Sequence, residues 1–123
     1  MSTKTLLIVD DSKIARMMIA KLVAEIAPGL KVVEASNGAE ALAKLGSEKV
    51  DLVTVDYNMP GDDGLTVAAS LKQKNAALPI ALITANIQDA VKDRASKLGV
   101  AFVAKPVTDS TLRPFLKSAG ATA

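Results

Sequence analysis

The chain has 123 residues, half of them hydrophobic, and 15 basic against 13 acidic side chains leave a net charge of +2. That length allows one domain, and the composition excludes a disordered or fibrous chain. It contains no cysteine and no histidine, which excludes disulfides, zinc ribbons, thiol nucleophiles, imidazole acid–base catalysis and histidine-bound metals, so any metal must be a hard cation held by oxygen and any nucleophile a hydroxyl, a lysine or a carboxylate.

The N-terminal Met1-Ser2-Thr3-Lys4 runs into a short apolar stretch that already contains Asp10 and Asp11. Neither a signal peptide nor a membrane span fits that pattern, and the absence of cysteine suits a reducing, cytoplasmic setting. The lysines are spread along the chain, and Tyr57, Phe102 and Phe115 are its aromatics, too few for a base-stacking platform. Apolar, β-branched runs predict strands at Thr5–Val9, Lys31–Glu34, Val50–Val55, Leu78–Ile83 and Gly99–Ala104. Four of them are almost wholly apolar, as strands covered on both faces are.

Helical patterns lie between these runs. Ile14, Met17, Met18, Leu22 and Ile26 recur at helical spacing, and Met17 and Met18 read as core and boundary packing. Asn37 with Glu40 resembles a capping box ahead of Ala39–Leu45. A third helix is predicted over about Leu65 to Gln73, bounded by Gly64 and Pro79. In the fourth, Ile87, Val91, Ala95 and Leu98 repeat, with Asn86 as a cap and Gly99 as the stop. The last, Asp109–Lys117, contains Pro114, which removes one amide donor. The tail Ser118–Ala123 reads as frayed, and the structured core as about residues 4–116 of one domain spanning 1–123. Strands alternating with helices imply right-handed crossovers, a five-stranded parallel sheet and a three-layer α/β/α sandwich.

The polar residues that interrupt this pattern fall at strand ends. Asp10 and Asp11 follow the first strand, Asp56 the third, Thr84 the fourth and Lys105 the fifth. Ligands of open parallel sheets bind outside the carboxyl ends of the strands, so these residues converge on one rim. Three close carboxylates drive one another's pKa upward without a counter-charge. Lys105 supplies one positive charge, and Mg²⁺ is the natural oxygen-ligated guest. Such a rim suits phosphoryl transfer, with Asp56 as the nucleophile and Mg²⁺, Lys105 and the Thr84 hydroxyl sharing the charge of the phosphoryl oxygens.

Singly, each feature has a plain structural explanation. Asp10-Asp11 can place charge at a helix N-terminus, Met59-Pro60-Gly61 is turn chemistry, Thr84 can bond to backbone, and Lys105 can be a solvated lysine. Asp62 and Asp63 read as solvated loop acids. The joint placement after successive strands is what points to a site.

Asp10-Asp11, the segment Asp56-Tyr57-Asn58-Met59-Pro60-Gly61-Asp62-Asp63-Gly64, Thr84-Ala85 and Lys105-Pro106 together resemble the receiver domain of two-component response regulators. The likeness runs from about Lys4 to Leu116, and the stand-alone chemotaxis-type members are similar in length. It implies a flavodoxin-like fold with strand order 2-1-3-4-5. It also implies that Asp56 accepts the phosphoryl group and that Asp11 and Asp56 bind Mg²⁺ directly, with Asp10 binding through water and Asn58 through its carbonyl. Thr84 resembles the switch hydroxyl, and Lys105-Pro106 the family's cis peptide. Phe102 matches the position of an aromatic rotamer switch, and reads equally as a core aromatic. Small Ala85 leaves room for a donor imidazole or a water.

The implied partners are a sensor histidine kinase or histidine phosphotransfer protein and a downstream protein target, with no DNA-binding domain in this chain and no membrane. The readout surface is expected on the fourth helix, fifth strand and fifth helix. On this reading the protein is a signalling domain that catalyses only its own phosphorylation and slow dephosphorylation. Other readings fit less well. A flavodoxin needs an amide-lined loop for phosphate where this chain has Val9-Asp10-Asp11-Ser12-Lys13. A haloacid-dehalogenase-type phosphatase needs an Asp-x-Asp after the first strand and a cap domain. A degenerate receiver would not retain Asp56, Thr84 and Lys105.

Overall fold

Strands and helices alternate along the chain in the order β1 (Thr5–Val9), α1 (Lys13–Ile26), β2 (Lys31–Ala35), α2 (Gly38–Ser47), β3 (Leu52–Asp56), α3 (Gly64–Lys74), β4 (Ile80–Thr84), α4 (Asp89–Leu98), β5 (Ala101–Ala104) and α5 (Asp109–Ser118). This is a computed structural model, and it describes residues 4–85 and 88–122. The five strands form one parallel sheet in the order β2-β1-β3-β4-β5, the flavodoxin-like topology. β1, β3 and β4 are buried along their whole length, whereas β2 and β5 lie at the edges and are partly exposed. Period-two alternation divides the core between the two faces. Leu6, Ile8, Leu52, Ala81, Ile83 and Val103 pack against α1 and α5. Leu7, Val53, Val55, Ile80 and Leu82 pack against α2, α3 and α4.

The third and fourth strands begin two residues later than the apolar runs predict and end one residue later. Asp56 and Thr84 are therefore the last residues of their strands. Val50, Leu78 and Val100 are buried at 8%, 1% and 6% exposure without belonging to a strand, because hydrophobicity reports burial whereas a ladder also needs a neighbouring strand.

The first helix departs more from expectation. α1 buries Ile19, Val23 and Ile26, while Met17 and Met18 are 58% and 63% exposed and Ile14 is 72% exposed. Met17 and Met18 are thus surface residues, not core or boundary packing. The apolar residues of α1 occupy more of its circumference than one sheet face can cover, and at 3.6 residues per turn Ile19 faces the sheet where Met17 does not.

The N-termini of α1, α2 and α3 are closed by side chains as their residue types dictate. Ser12 accepts from the Ala15 amide, Asn37 from Glu40 and Asp63 from Thr66. Glu40 turns to the Ser36 amide and hydroxyl at 2.7 and 2.8 Å, so only the Asn37 half of the expected capping box forms as drawn. Asp63, expected as a solvated acid, is the α3 cap and also lies 3.7 Å from Arg94 of α4. Gly99 closes α4 in the left-handed conformation at φ 70°, as expected, whereas the proposed cap Asn86 and the repeat residue Ile87 lie outside the described residues. α5 contains Pro114 but begins with a capping box between Thr108 and Thr111 and buries Leu112, Phe115 and Leu116.

The tail is not frayed through Thr122. Gly120, at φ 74°, turns the chain back, the Ala121 amide donates to the Leu116 carbonyl at 2.8 Å, and the Thr122 hydroxyl reaches the Ile26 carbonyl at 3.3 Å. Among the described residues no helix is long and apolar enough to cross a membrane.

Candidate active site

Parallel pairing brings the carboxyl ends of β1, β3, β4 and β5 to one edge, and the residues there are Asp10 and Asp11, Asp56, Thr84 and Lys105. Asp10, Asp11 and Asp56 each offer an oxygen, and these oxygens lie within 4.8 Å of one another. Asp10 and Asp56 are buried at 3% and 4% exposure, while Asp11 faces solvent. Asp56 shares a face with Leu52 and Thr54, on the α1 and α5 side. Thr84, fully buried, lies on the side of Ile80 and Leu82. Its carbonyl accepts the Lys105 amide at 2.9 Å, which ties the lysine to the end of β4. Lys105 Nζ stands 2.7 Å from Asp56 Oδ1. The approach is an ion-pair distance without hydrogen-bond alignment, and that buried oxygen has no other partner among the described residues. The Lys105-Pro106 peptide is cis.

The local charge balance is incomplete. One ammonium faces three carboxylates. Burial holds the Asp10 carboxyl above its ordinary range, and the charges of Asp56 and Asp11 add to the effect, against the Ser12 amide and Lys105, which favour the ionised form. Three converging carboxylate oxygens with a deficit of positive charge fit a hard divalent cation such as Mg²⁺.

The raised pKa has a stability consequence with a definite sign. An acid that is harder to ionise when folded contributes stability that is fully present below its ordinary pKa and is lost as pH rises through the raised one. In metal-free buffer, Asp10→Asn is expected to melt above the wild type at pH 7, with the gap closing as pH falls below the usual carboxylate range. Thermal melts across pH check this, and a gap that widens toward acid would refute it.

The rim chemistry and its topology are matched by sequence. The model of the response regulator receiver domain covers residues 6–117. The chain belongs to the response regulator receiver family. The chemotaxis protein CheY of Bacillus subtilis is 39% identical over 103 residues, which are 82% of this chain and 84% of that one. The positive alginate biosynthesis regulatory protein of Pseudomonas aeruginosa is 41% identical over 115 residues, 92% of this chain but 46% of the relative. The chain thus spans about half the length of that relative, and 29% of a cyclic di-GMP phosphodiesterase response regulator of Xanthomonas campestris. Among solved structures, the response regulator TrrA of Thermotoga maritima in complex with Mg²⁺ and BeF superposes with a TM-score of 0.82 at 31% identity, covering 95% of this chain and 99% of that one. Vibrio cholerae CheY4 gives 0.86 at 26%, covering 96% and 99%. Phosphoryl acceptance by an aspartate and switching of partner binding are typical of this signalling family.

The remaining residues singled out from sequence fall around this receiver site. Asn58 is exposed in the loop after β3, and Ala85 is exposed after Thr84. Phe102 lies on the same sheet face as Thr84, partly buried against the α4 side, with Lys92 Nζ 5.6 Å from its ring centre. Two roles were not read from sequence. Asp63 links α3 to Arg94, and its position just before the helical run of α3 was the available signal. Arg16 donates from Nη1 to the Asp10 carbonyl at 2.6 Å and from Nε to Glu34 at 2.8 Å; its signal was a cation in the first turn of a helix, where the macrodipole disfavours one.

Proposed function

We propose that this chain takes a phosphoryl group from the phosphohistidine of a sensor kinase or a histidine phosphotransfer protein onto Asp56. An Asp56 carboxylate oxygen attacks phosphorus, the bond from phosphorus to the imidazole nitrogen breaks, and the imidazole leaves with the electron pair and takes up a proton. The product is an acyl phosphate. These 123 residues contain no histidine, so the donor imidazole lies outside this domain.

The observation that carries this reading is the pairing of Lys105 with buried Asp56 at 2.7 Å beside Asp10 and Asp11. The lysine stands against the nucleophile and keeps a positive charge beside the oxygens of the incoming group. Asp11 and Asp56 would hold Mg²⁺ directly, Asp10 through water and Asn58 through its carbonyl. Bound there, the ion supplies Lewis-acid neutralisation of the carboxylate and phosphoryl charge. The Thr84 hydroxyl takes a third phosphoryl oxygen and so reports the modification to the α4 side, with Phe102 as the aromatic that repacks.

The donor needs to bring its imidazole against Asp56. Next to the rim runs a groove of about 230 Å³ with Met18 and Leu22 on one wall and Lys105, Pro106 and Val107 on the other. An apolar helix face of the donor fits this groove, and the readout partner, a protein, is assigned to α4, β5 and α5. The chain acts as a single cytoplasmic receiver of the chemotaxis type, catalysing only its own phosphorylation and slow hydrolysis. The test is incubation with acetyl phosphate and Mg²⁺ followed by peptide mapping. The label is expected on the peptide containing Asp56, and a label elsewhere overturns the assignment.

A further inference from the structure

We propose that Arg16 is a positioning residue for the divalent-cation site, acting through the backbone that carries Asp10 and Asp11. The inference rests on the reading of those carboxylates as the cation's ligands.

Arg16 occupies the first turn of α1, whose first turn has no acidic residue. A cation there opposes the helix macrodipole. Its side chain is nonetheless only 15% exposed. The guanidinium is a two-pronged clamp. Nη1 donates to the Asp10 carbonyl at 2.6 Å, and Nε to Glu34 Oε1 on β2 at 2.8 Å. The amide and one carboxylate oxygen of Asp10 are also engaged. Its amide donates to the Ala35 carbonyl at 3.1 Å, and its Oδ1 accepts the Ser12 amide at 2.9 Å. The carbonyl that Arg16 holds belongs to the peptide joining Asp10 to Asp11. Asp11 is exposed, so the aim of its side chain follows from the plane of that peptide. Glu34 in turn holds the guanidinium in place and offsets its charge.

Charge and positioning predict opposite signs. If Arg16 acted only as a positive charge near three carboxylates, its removal would tighten a divalent cation. If it orients the Asp10–Asp11 peptide, removal loosens the cation, and partners outside a metal's immediate ligands are typically worth about 10–100-fold in affinity. Arg16→Met keeps the alkyl stem and removes the donors. Combining it with Glu34→Gln removes one charge of each sign and leaves the net charge unchanged.

The test is a Mg²⁺ titration of the full chain by calorimetry, with the fluorescence of Tyr57 as a second readout; it is the sole tyrosine, there is no tryptophan, and it neighbours Asp56. Urea unfolding of each variant in metal-free buffer reports folding separately. The expected result is a rise in Kd of about tenfold for Arg16→Met and a similar rise for the double variant. A Kd that is unchanged or lower in Arg16→Met, or one restored to the wild-type value in the double variant, overturns the proposal. Should Arg16→Met fail to fold, Arg16→Lys decides. It retains the charge with a single ammonium, and the same proposal requires an intermediate rise in Kd. Failure of the wild type itself to bind Mg²⁺ would instead remove the cation reading on which the proposal stands.

Discussion

Asp56→Asn is expected to abolish labelling by acetyl phosphate, with the rate falling by at least about a thousandfold while the fold persists. The substitution is nearly isosteric at a side chain that is 4% exposed, so packing against the α1 side changes little. The carboxamide oxygen carries no formal charge and is a poor nucleophile toward phosphorus. The same change removes the counter-charge that stands 2.7 Å from Lys105 Nζ and one of the three oxygens that converge at the rim, so Mg²⁺ affinity should fall as well. Intact-mass analysis after reaction with acetyl phosphate measures the first effect, calorimetry the second, and circular dichroism controls for folding. Wild-type labelling of the variant would transfer the nucleophile to another carboxylate, and Asp10 and Asp11 are the neighbours to examine.

The alternation of five strands with five helices was legible because apolar β-branched runs and helical repeats differ in period. The site was legible for a related reason. In strands this apolar, a carboxylate or ammonium at the end of a run stands out, and parallel topology brings such ends together whatever their separation in sequence. The 2-1-3-4-5 order and the cis peptide came from family resemblance and not from periodicity. The exact ends of β3 and β4 were not legible, because Val50 and Leu78 are as apolar as the residues that pair.

The exposed Met17 and Met18 show a second limit: helical spacing identifies a stripe, but not how much of its width the sheet can cover. The clamp of Arg16 on Glu34 joins residues 18 positions apart, on elements whose adjacency depends on the strand order. The docked tail depended on the turn at Gly120 and on a contact between Thr122 and Ile26, a separation across which local pattern is silent.

Gly64→Ala is expected to be the most damaging single-methyl change in the chain among the described glycines. Gly64 is buried at the first position of α3, and its amide donates to the Tyr57 carbonyl at 2.9 Å. This bond folds the loop after β3 back against the strand that ends in Asp56. A Cβ at residue 64 would overlap the Asp56 carbonyl oxygen and stand 2.8 Å from Tyr57 Cα and 2.9 Å from the Asp56 carbonyl carbon. These are backbone atoms of a central strand and the turn it enters, so relief cannot come from rotating a side chain. Either α3 moves off the sheet, where Leu65, Ala68 and Leu71 are fully buried, or the end of β3 moves and carries Asp56 with it. Overpacking of this kind typically costs about 1–3 kcal/mol, and the backbone contact places Gly64→Ala at roughly the upper end. At about 4 °C per kcal/mol for a domain of this size, Tm should fall by roughly 12 °C. Any folded fraction should also accept a phosphoryl group more slowly than the wild type at saturating Mg²⁺, because the nucleophile is displaced. Gly46→Ala is the internal control, since its Cβ meets nothing within 4 Å and lies within helix α2, where alanine is the better helix former. Its Tm should hold or rise. A Gly64→Ala melt within a few degrees of the wild type would show that the β3–α3 junction yields more readily than its backbone contacts indicate.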